Sequence, residues 1–370
     1  MIDPHVHLRD WGQRAKETVR HGLETAWRAG LDGVLEMPNT SPPLITGRAV
    51  RDRIALADRA HAELFGAGGR WAGSTGVFHG LYAGLTTRID QIRTTVELHR
   101  SLFPRVVGLK LYAGSTTGDL GVLEESGQRT VLRTLAAEGF RGVLAVHCEK
   151  EALLRVDLWD PGVPRSHGRA RPPEAEIESV RDMISSARET GFAGHLHICH
   201  ISAPEAVDLV DEAKQSGMRL SCGATPHHLL LSEEQVSGGP EGLLLKMNPP
   251  LRSERHRAAL LSRLQAGKID WIESDHAPHT LADKTDHPRR CPSGIPVLPI
   301  YPRLIRRLQA RGMERGRLHD LMHGSIVRIF GLRIEHTGRT GDPDLADEYA
   351  FDPFASLEDL SLEDLSLEDR

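Results

Sequence analysis

The segment DPHVHLR at residues 3–9 alternates apolar and polar side chains like a β-strand and ends in two histidines and an arginine. Seven further short apolar segments follow along the chain, and they alternate with longer segments of helical periodicity. They are GVLEMPN (33–39), TGVFHG (75–80), VGLKLY (107–112), GVLAVHCE (142–149), HLHICHIS (195–202), RLSCGATP (219–226) and DWIESDHA (270–277). Eight strand-then-helix units predict a (β/α)8 TIM barrel. A doubly wound open sheet is the alternative, although eight units favour closure.

The helical segments between these strands have ordinary ends. The segments at 17–30 and 253–267 carry apolar residues at helical spacing and stop at a glycine. Two more, at 296–312 and 316–332, are predicted to be closing helices after the eighth strand. We therefore predict a catalytic barrel over residues 1–335.

Residues 336–370 are predicted to form an irregular C-terminal segment. It ends in SLEDLSLEDLSLEDR, whose period of five matches neither the helical nor the coiled-coil repeat. Its leucines cannot line one stripe of a helix, so we expect a solvated, disordered acidic tail.

Length and charge limit the kinds of partner. With 370 residues and 39% hydrophobic content, the chain can form one large barrel, and by length alone two compact domains. The net charge is −5, and the acidic tail accounts for all of it. A balanced body offers no electrostatic footprint for nucleic acid or an anionic membrane, so we expect a small-molecule partner.

Cysteine usage and hydropathy bear on the compartment. Four cysteines in a chain of this length form no disulfide framework and no CxxC zinc motif. No run of about 18 apolar residues occurs, and the first residues are charged rather than apolar. We expect a cytoplasmic protein that is neither secreted nor inserted in a membrane.

Side chains able to bind metal stand where the predicted strands end. The strand ends of a (β/α)8 barrel converge on one face, where catalytic residues gather. Two histidines lie two apart on strand one and point the same way, because side chains alternate along a strand. The six side chains are His5, His7, Lys110, His147, His200 and Asp275.

This set suits two Zn²⁺ ions, because neutral imidazole and carboxylate are common zinc ligands. An ammonium group cannot ligate a cation. A lysine buried beside two metals is readily neutral, however, and carbon dioxide converts its amine into a carbamate with two oxygens able to bridge the ions. We expect Lys110 to act in that carboxylated form.

Each of these residues also has an ordinary structural interpretation. A single HxH pair is more often structural, His147 alone would be a core histidine, and Lys110 alone would be a rim lysine extending to solvent. Asp275 alone would cap the following helix. The metal interpretation is favoured because all six stand at strand ends of one predicted barrel.

Eight strings, in this order along the chain, resemble the motifs of the dihydroorotase family within the amidohydrolase superfamily. They are DPHVHLRD, EMPNTSPP, GLKLYAGSTTGDLG, AVHCE, HICHIS, GATPHHLLLS, KMNPPLR and ESDHAPHT. The resemblance runs from residue 2 to about residue 296. DHAPH together with PHHL and NPPLR is specific to the family, whereas HxH is shared by the whole superfamily.

The resemblance implies roles for the matching positions. His5 and His7 would hold one metal with Asp275, and His147 and His200 the other, with carboxylated Lys110 between them. Asp275 would be the general acid and base. The positions that match the family's substrate-binding residues are Arg9, Asn39, Asn248 and His279. Arg9 also suits a carboxylate-bearing substrate because its guanidinium presents a planar fork of donors.

The implied activity is the reversible conversion of dihydroorotate and N-carbamoyl-L-aspartate in pyrimidine synthesis. The loop at 113–120 after strand four is a candidate lid whose Thr116 and Thr117 would touch substrate, and an ordinary flexible loop is an equal alternative. Backbone at Ser293 and Gly294 is a further candidate contact. A homodimer and an association with aspartate transcarbamoylase are the assemblies that the family suggests.

The chain departs from the family pattern in two respects. Relatives carry an N-terminal segment that completes a small β-sandwich, and we expect this sandwich to be missing or vestigial here. Some relatives bind a third zinc through a cysteine and a glutamate, but Gly223 stands at the glutamate position, so we expect Cys199 to be a buried small residue.

Two other functions compete with a dihydroorotase. A hydantoinase or allantoinase would share the metals and differ in its pocket, and Arg9 followed by EMPNTSPP argues against it. A catalytically silent scaffold for aspartate transcarbamoylase would have lost metal ligands, whereas this sequence keeps all six.

Overall fold

Eight parallel strands arranged in sequence order form the centre of the protein in a computed structural model. The structure describes residues 1–116, 118–342, 345 and 348–357. The strands are β1 (Ile2–Val6), β2 (Gly33–Glu36), β3 (Phe78–Gly84), β4 (Val106–Ala113), β5 (Val143–Cys148), β6 (His195–Ile198), β7 (Leu220–Ala224) and β8 (Trp271–Ile272). A parallel bridge between Val6 and His276 joins the end of β8 to β1. The protein is therefore a (β/α)8 barrel, as predicted.

Helices surround the barrel and connect its strands. They are α1 (Val19–Arg28), α2 (Gly47–Phe65), α3 (Ile89–Leu102), α4 (Glu125–Ala137), α5 (Ser166–Ala170), α6 (Pro173–Thr190), α7 (Pro204–Gln215), α8 (Pro226–Leu230), α9 (Glu254–Gln265), α10 (Leu281–Thr285), α11 (Tyr301–Ala310), α12 (Arg315–His319) and α13 (Ser325–Phe330). Among the described residues, none of these helices combines the length and apolar character that a membrane span requires.

The helix boundaries follow local chemistry. Helix α1 begins after Thr18, whose hydroxyl accepts from the backbone N–H of His21, and it gives way to Gly30 at a φ of +85°. Helix α9 is likewise followed by Gly267 at a φ of +80°. Both ends lie where the glycines predicted them, because a left-handed residue stops a helix at no steric cost.

The third strand differs from its prediction. The segment 75–80 was expected to be its C-terminal end, but β3 runs from Phe78 to Gly84, and all its residues after Phe78 are buried. Three small residues (Gly80, Ala83 and Gly84) dilute the apolar pattern of this strand and hide its second half from periodicity.

Two apolar clusters hold the barrel together. The larger one lies between the strands and the surrounding helices. The smaller one contains strand residues such as Tyr82, Val107 and Trp271, together with Ile326 and Phe330 of α13. A turn of π-helix (Asp320–Gly324) contacts β1 and β8 and leads directly into α13. This turn and α13 together close the N-terminal end of the barrel. The C-terminal end stays open for the site described next.

The segment after α13 packs against the first helices of the barrel. Arg28 of α1 donates to Asp342 (2.8 Å) and also pairs with Glu348. Tyr349 donates its hydroxyl to Glu17 (2.6 Å). A domain boundary at residue 335 stays a prediction. The acidic repeat after Leu357, predicted to be disordered, lies outside the described residues.

Candidate active site

His5 and His7 extend from β1 toward a carboxylate that follows β8. The Nε2 atom of His7 lies 2.8 Å from Asp275 Oδ1, and that of His5 lies 3.3 Å from the same oxygen. All three side chains are buried. This trio is one of the residue groups able to hold a metal ion.

A second pair of imidazoles lies beside this trio. His147 at the end of β5 and His200 after β6 approach with Nδ1 and Nε2 3.2 Å apart. The rings of His5 and His200 have their centroids 5.1 Å apart, so the four histidines form one continuous group. The barrel therefore brings together five of the six predicted ligands.

Backbone strain coincides with two of these residues. His200 and Asp275 have φ values of 38° and 50°, in the left-handed region that side chains with a Cβ seldom adopt. Such strain costs on the order of 1–3 kcal/mol for each residue and clusters at functional sites. Here it turns both side chains at the point where their strands have just ended.

The protonation of the trio can be read from its partners. His7 Nδ1 donates to the side-chain oxygen of Asn39 (2.6 Å), so its Nε2 carries a lone pair toward Asp275. Burial lowers the pKa of His7 to about 4 despite the attraction of Asp275. Burial opposes ionisation of Asp275, but the surrounding imidazoles of His7, His5 and His227 hold the pKa of that carboxyl below its usual range.

The separations suit a metal ion. A lone pair on His7 and a carboxylate oxygen repel each other at 2.8 Å unless a proton or cation lies between them. Two ligands at about 2.0–2.1 Å from Zn²⁺ in tetrahedral geometry are about 3.3–3.4 Å apart. The His5–Asp275 and His147–His200 separations of 3.3 Å and 3.2 Å are close to that value. The donor set therefore fits divalent metal.

His5 is protonated in this arrangement. Burial and Lys110 lower its pKa, but Cys199 and Glu273 outweigh them and raise the pKa to about 9. A metal ion that binds here must displace that proton, as is general for imidazole ligands.

Lys110, the sixth predicted ligand, has a different partner. Its side chain is fully buried, and its Nζ donates to Cys199 Sγ at 3.0 Å. Burial raises the pKa of Cys199, but Lys110 and the neighbouring histidines outweigh it and lower the pKa to about 5. Lys110 and Cys199 thus form a buried hydrogen bond, and carboxylation of the lysine would require these two groups to separate.

The predicted substrate residues lie on the same side of the barrel. The buried guanidinium of Arg9 donates through Nε to the carbonyl oxygen of Pro278 (3.2 Å), and NH2 lies 3.4 Å from His279 Nε2. Burial lowers the pKa of Arg9 to about 10, which still leaves it charged at neutral pH. Lys16 Nζ contacts the other ring nitrogen of His279 at 3.1 Å.

Asn248 is oriented by two donors. His167 Nε2 and Ser293 Oγ each lie 2.9 Å from its side-chain oxygen. Its amide nitrogen is left as the group that can donate to a ligand.

A cavity that opens to solvent joins Arg9 and Asn248 to the metal-binding side chains, whereas His279 does not line it. Its walls are formed by His5, His7, Arg9, Asn39, Tyr112, Thr116, His147, His200, Asn248, Asp275, Ala277, Ser293 and Gly294. Thr116, Ser293 and Gly294 therefore lie where ligand contacts were predicted. Thr117, the other predicted lid residue, lies outside the described residues.

Sequence reasoning missed Glu273. Its carboxylate accepts from His197 Nε2 and Trp271 Nε1, each at 2.9 Å, and from the backbone N–H of His200. It also groups with His5 and Cys199 as possible metal-binding atoms. The sequence offered one signal, because Glu273 lies in the segment predicted as strand eight, two residues before Asp275.

Glu273 also accounts for Gly223. A Cβ at residue 223 would lie 2.5 Å from the Glu273 carboxyl carbon, so β8 supplies the carboxylate that fills this position. Cys199 is buried, as expected, but its hydrogen bond with Lys110 goes beyond the role of a small packing residue.

Comparison with known proteins places this barrel in a family. A dihydroorotase from Brevibacillus brevis is 36% identical over 374 residues, covering 96% of this chain and 80% of that protein. A dihydroorotase from Halobacterium salinarum is 35% identical over 352 residues, covering 93% and 75%. The chain belongs to the dihydroorotase family. No family model matches the sequence.

Solved structures similar to this dihydroorotase-family chain share its fold. L-Hydantoinase from Arthrobacter aurescens superposes with a TM-score of 0.73 at 21% identity, covering 89% of this chain and 70% of that one. Dihydropyrimidinase from Brevibacillus agri gives a TM-score of 0.73 at 20% identity, covering 95% and 73%. The dihydroorotase-family chain thus shares its barrel fold with these two proteins, and it carries residue groups able to hold metal.

Proposed function

We propose that the protein is a dihydroorotase that interconverts dihydroorotate and N-carbamoyl-L-aspartate in pyrimidine synthesis. One observation carries the proposal: a buried arginine, Arg9, shares a cavity with the His5, His7 and Asp275 trio. Both compounds carry a carboxylate that takes no part in the reaction. A charged guanidinium near the metal-binding group suits such an acidic substrate better than it suits an uncharged ring substrate.

Two zinc ions are the proposed cofactors. His5, His7 and Asp275 would hold one, His147 and His200 the other, and carboxylated Lys110 would bridge them. When bound, the pair would supply Lewis acidity, which makes a hydroxide nucleophile available at neutral pH and polarises the carbonyl that is attacked. The ligand separations described above and the buried lone pair of His7 Nε2 support this assignment.

The remaining steps belong to the side chains. Arg9 and the amide nitrogen of Asn248 bind the substrate carboxylate, and His279 holds Arg9 in place. Asn39 orients His7 through its ring nitrogen. Asp275 takes the proton of the attacking water and delivers it to the departing amide nitrogen. The same groups acting in reverse close the ring and release water.

Turnover of the purified protein tests the proposal. Wild type should cyclise N-carbamoyl-L-aspartate and hydrolyse dihydroorotate faster than it hydrolyses hydantoin, allantoin or dihydrouracil rings. Preference for an uncharged ring would instead make the protein a hydantoinase or allantoinase. Absence of turnover together with little or no stoichiometric zinc would favour a silent scaffold.

Asp275→Asn tests the general acid and base. We expect turnover to fall by about 10²- to 10⁴-fold, because the amide cannot carry the proton, while metal content measured by elemental analysis stays near that of wild type. Asp286→Asn, on the exposed surface nearby, is the matched control. Near-normal turnover in Asp275→Asn would refute the assigned role. The homodimer, the association with aspartate transcarbamoylase and the cytoplasmic location stay predictions.

A further inference from the structure

A second group of metal-binding side chains lies at the opposite end of the barrel. One ligand atom from each of Asp32, His323 and His336 falls within 4.8 Å of the others. Asp32 directly precedes β2, whereas the catalytic candidates follow the strand ends, so a barrel length separates the two groups. We call this trio the lower cluster.

His323 presents a nitrogen that is ready to bind. It lies in the π-helical turn before α13, and its Nε2 donates to the carbonyl oxygen of Ile334 (3.0 Å). A carbonyl can only accept, so Nδ1 carries the lone pair. This Nδ1 is buried and has no hydrogen-bond partner among the described residues. Burial and nearby positive groups lower the pKa of His323 to about 4, which keeps the ring neutral.

His336 supplies the second imidazole of the lower cluster, and His319 lies next to the cluster as a third imidazole. His336 Nδ1 lies 3.1 Å from Asp32 Oδ2, and its side chain is 37% exposed. The ring of His319 lies 5.3 Å from that of His323 and 5.2 Å from that of His336, measured between centroids. His319 and His323 are four residues apart, a spacing that places two imidazoles on one helical face.

Asp32 supplies the negative charge. It is buried, and it accepts hydrogen bonds from the Met1 amino group and from Thr337 Oγ1. Arg339 NH2 lies 3.7 Å from its Oδ1 atom. Burial opposes its ionisation, but these partners lower the pKa of Asp32. The Met1 amino group also lies 3.4 Å from His336 Nδ1, so a cation bound here would take its place.

We propose that the lower cluster is a structural site that binds a divalent transition metal ion, preferably zinc. Two or three imidazoles and one carboxylate are the ligands that zinc prefers. The ion would join the start of β2 (Asp32), the π-helical turn (His323) and the C-terminal segment (His336). It would fasten that segment across the closed end of the barrel and take no part in turnover.

Anomalous scattering from a crystal soaked in Zn²⁺ tests the location. Data collected above and below the zinc absorption edge should show a peak between Asp32, His323 and His336. A map with zinc at the barrel mouth and no peak at the lower cluster would overturn the proposal.

Solution binding gives a second, independent test. Wild type and His336→Gln, which alters a partly exposed side chain, are stripped of metal and titrated with zinc against a chromophoric chelator. Wild type should bind one more zinc ion per chain than His336→Gln. Zinc should raise the Tm of wild type more than that of His336→Gln, while dihydroorotase turnover is the same in both. His323→Gln should repeat the loss of one site.

The matched control is His256→Gln on α9, because it removes a partly exposed histidine that lies outside both sites. Its zinc stoichiometry should equal that of wild type. Equal stoichiometry in wild type, His336→Gln and His323→Gln would exclude the site.

Discussion

At the scale of single residues, the functional interpretation depends on which atom of each side chain is free. Asn39 accepts the Nδ1 proton of His7, so the opposite nitrogen faces Asp275. The sequence predicted Asn39 as a substrate residue, but its contact with His7 gives it an orienting role as well. A sequence motif identifies the residue, but only the tertiary structure shows which of its atoms already form a hydrogen bond.

Arg9 provides the residue-scale prediction. Arg9→Lys keeps the positive charge but loses the planar fork and the hydrogen bond to Pro278. We expect KM for N-carbamoyl-L-aspartate to rise by about 10- to 100-fold, the equivalent of one charge-assisted hydrogen bond, with a much smaller change in kcat. Steady-state kinetics with Arg14→Lys, an exposed neighbour, provides the comparison. A KM unchanged from wild type would show that Arg9 does not bind the substrate carboxylate.

At the scale of elements, a buried ion pair joins α2 to β2. Arg53 of α2 and Glu36 of β2 are both fully buried, and Arg53 Nε lies 3.0 Å from each carboxylate oxygen. Arg53 NH2 also donates to the carbonyl oxygen of Leu8 (2.9 Å), the residue before Arg9. The glutamate accepts a further contact from His79 of β3 at 2.9 Å. This pair therefore supports the backbone that carries Arg9.

Arg53→Met is the element-scale prediction. Among the residues that the structure describes, the substitution leaves buried Glu36 with His79 as its side-chain partner, and breaking such a pair costs about 3–5 kcal/mol. Urea unfolding should show a loss of that size in the free energy of unfolding. Arg51→Met, on the exposed face of the same helix, should differ from wild type by less than about 0.5 kcal/mol. If Arg53→Met matched that control, the ion pair would contribute nothing to stability.

At the scale of the whole molecule, Glu17 joins distant parts of the chain. It lies before α1, and it contacts His276 Nε2 after β8 (3.2 Å) and the hydroxyl of Tyr349 in the C-terminal segment (2.6 Å). Burial opposes its ionisation, but His276, His21 and Tyr349 lower the pKa of Glu17 from 4.5 to about 2.

Acid stability provides the whole-molecule prediction. Because the folded-state pKa of Glu17 is depressed, its contribution is complete above pH 4.5 and is lost as the pH falls toward about 2. The loss is on the order of 3 kcal/mol over this range. Glu17→Gln removes this titration, so its stability should fall less steeply between these pH values. The readout is the free energy of unfolding as a function of pH.

Glu63→Gln, an exposed carboxylate on α2, should retain the acid slope of wild type. Parallel acid slopes for wild type and Glu17→Gln would contradict a depressed pKa at Glu17.

The order of strands and the positions of the candidate ligands were determined by the sequence itself. A repeated pattern of short apolar runs and amphipathic helices has few ways to bury its apolar faces, and strand ends in a barrel must converge. The prediction of a (β/α)8 barrel was confirmed for this reason, and the family that the motifs predicted was confirmed by the dihydroorotase relatives. The small residues of β3 hid part of one strand without changing the topology.

Only the tertiary structure decided which side chains became partners. Lys110 pairs with Cys199, Glu273 fills the space beside Gly223, and Asp32 meets His323 and His336 across about 300 residues of chain. None of these contacts leaves a pattern in the sequence, because each depends on distances between strands and loops that periodicity does not encode. Local pattern specifies which face a residue occupies, and packing specifies what it touches there.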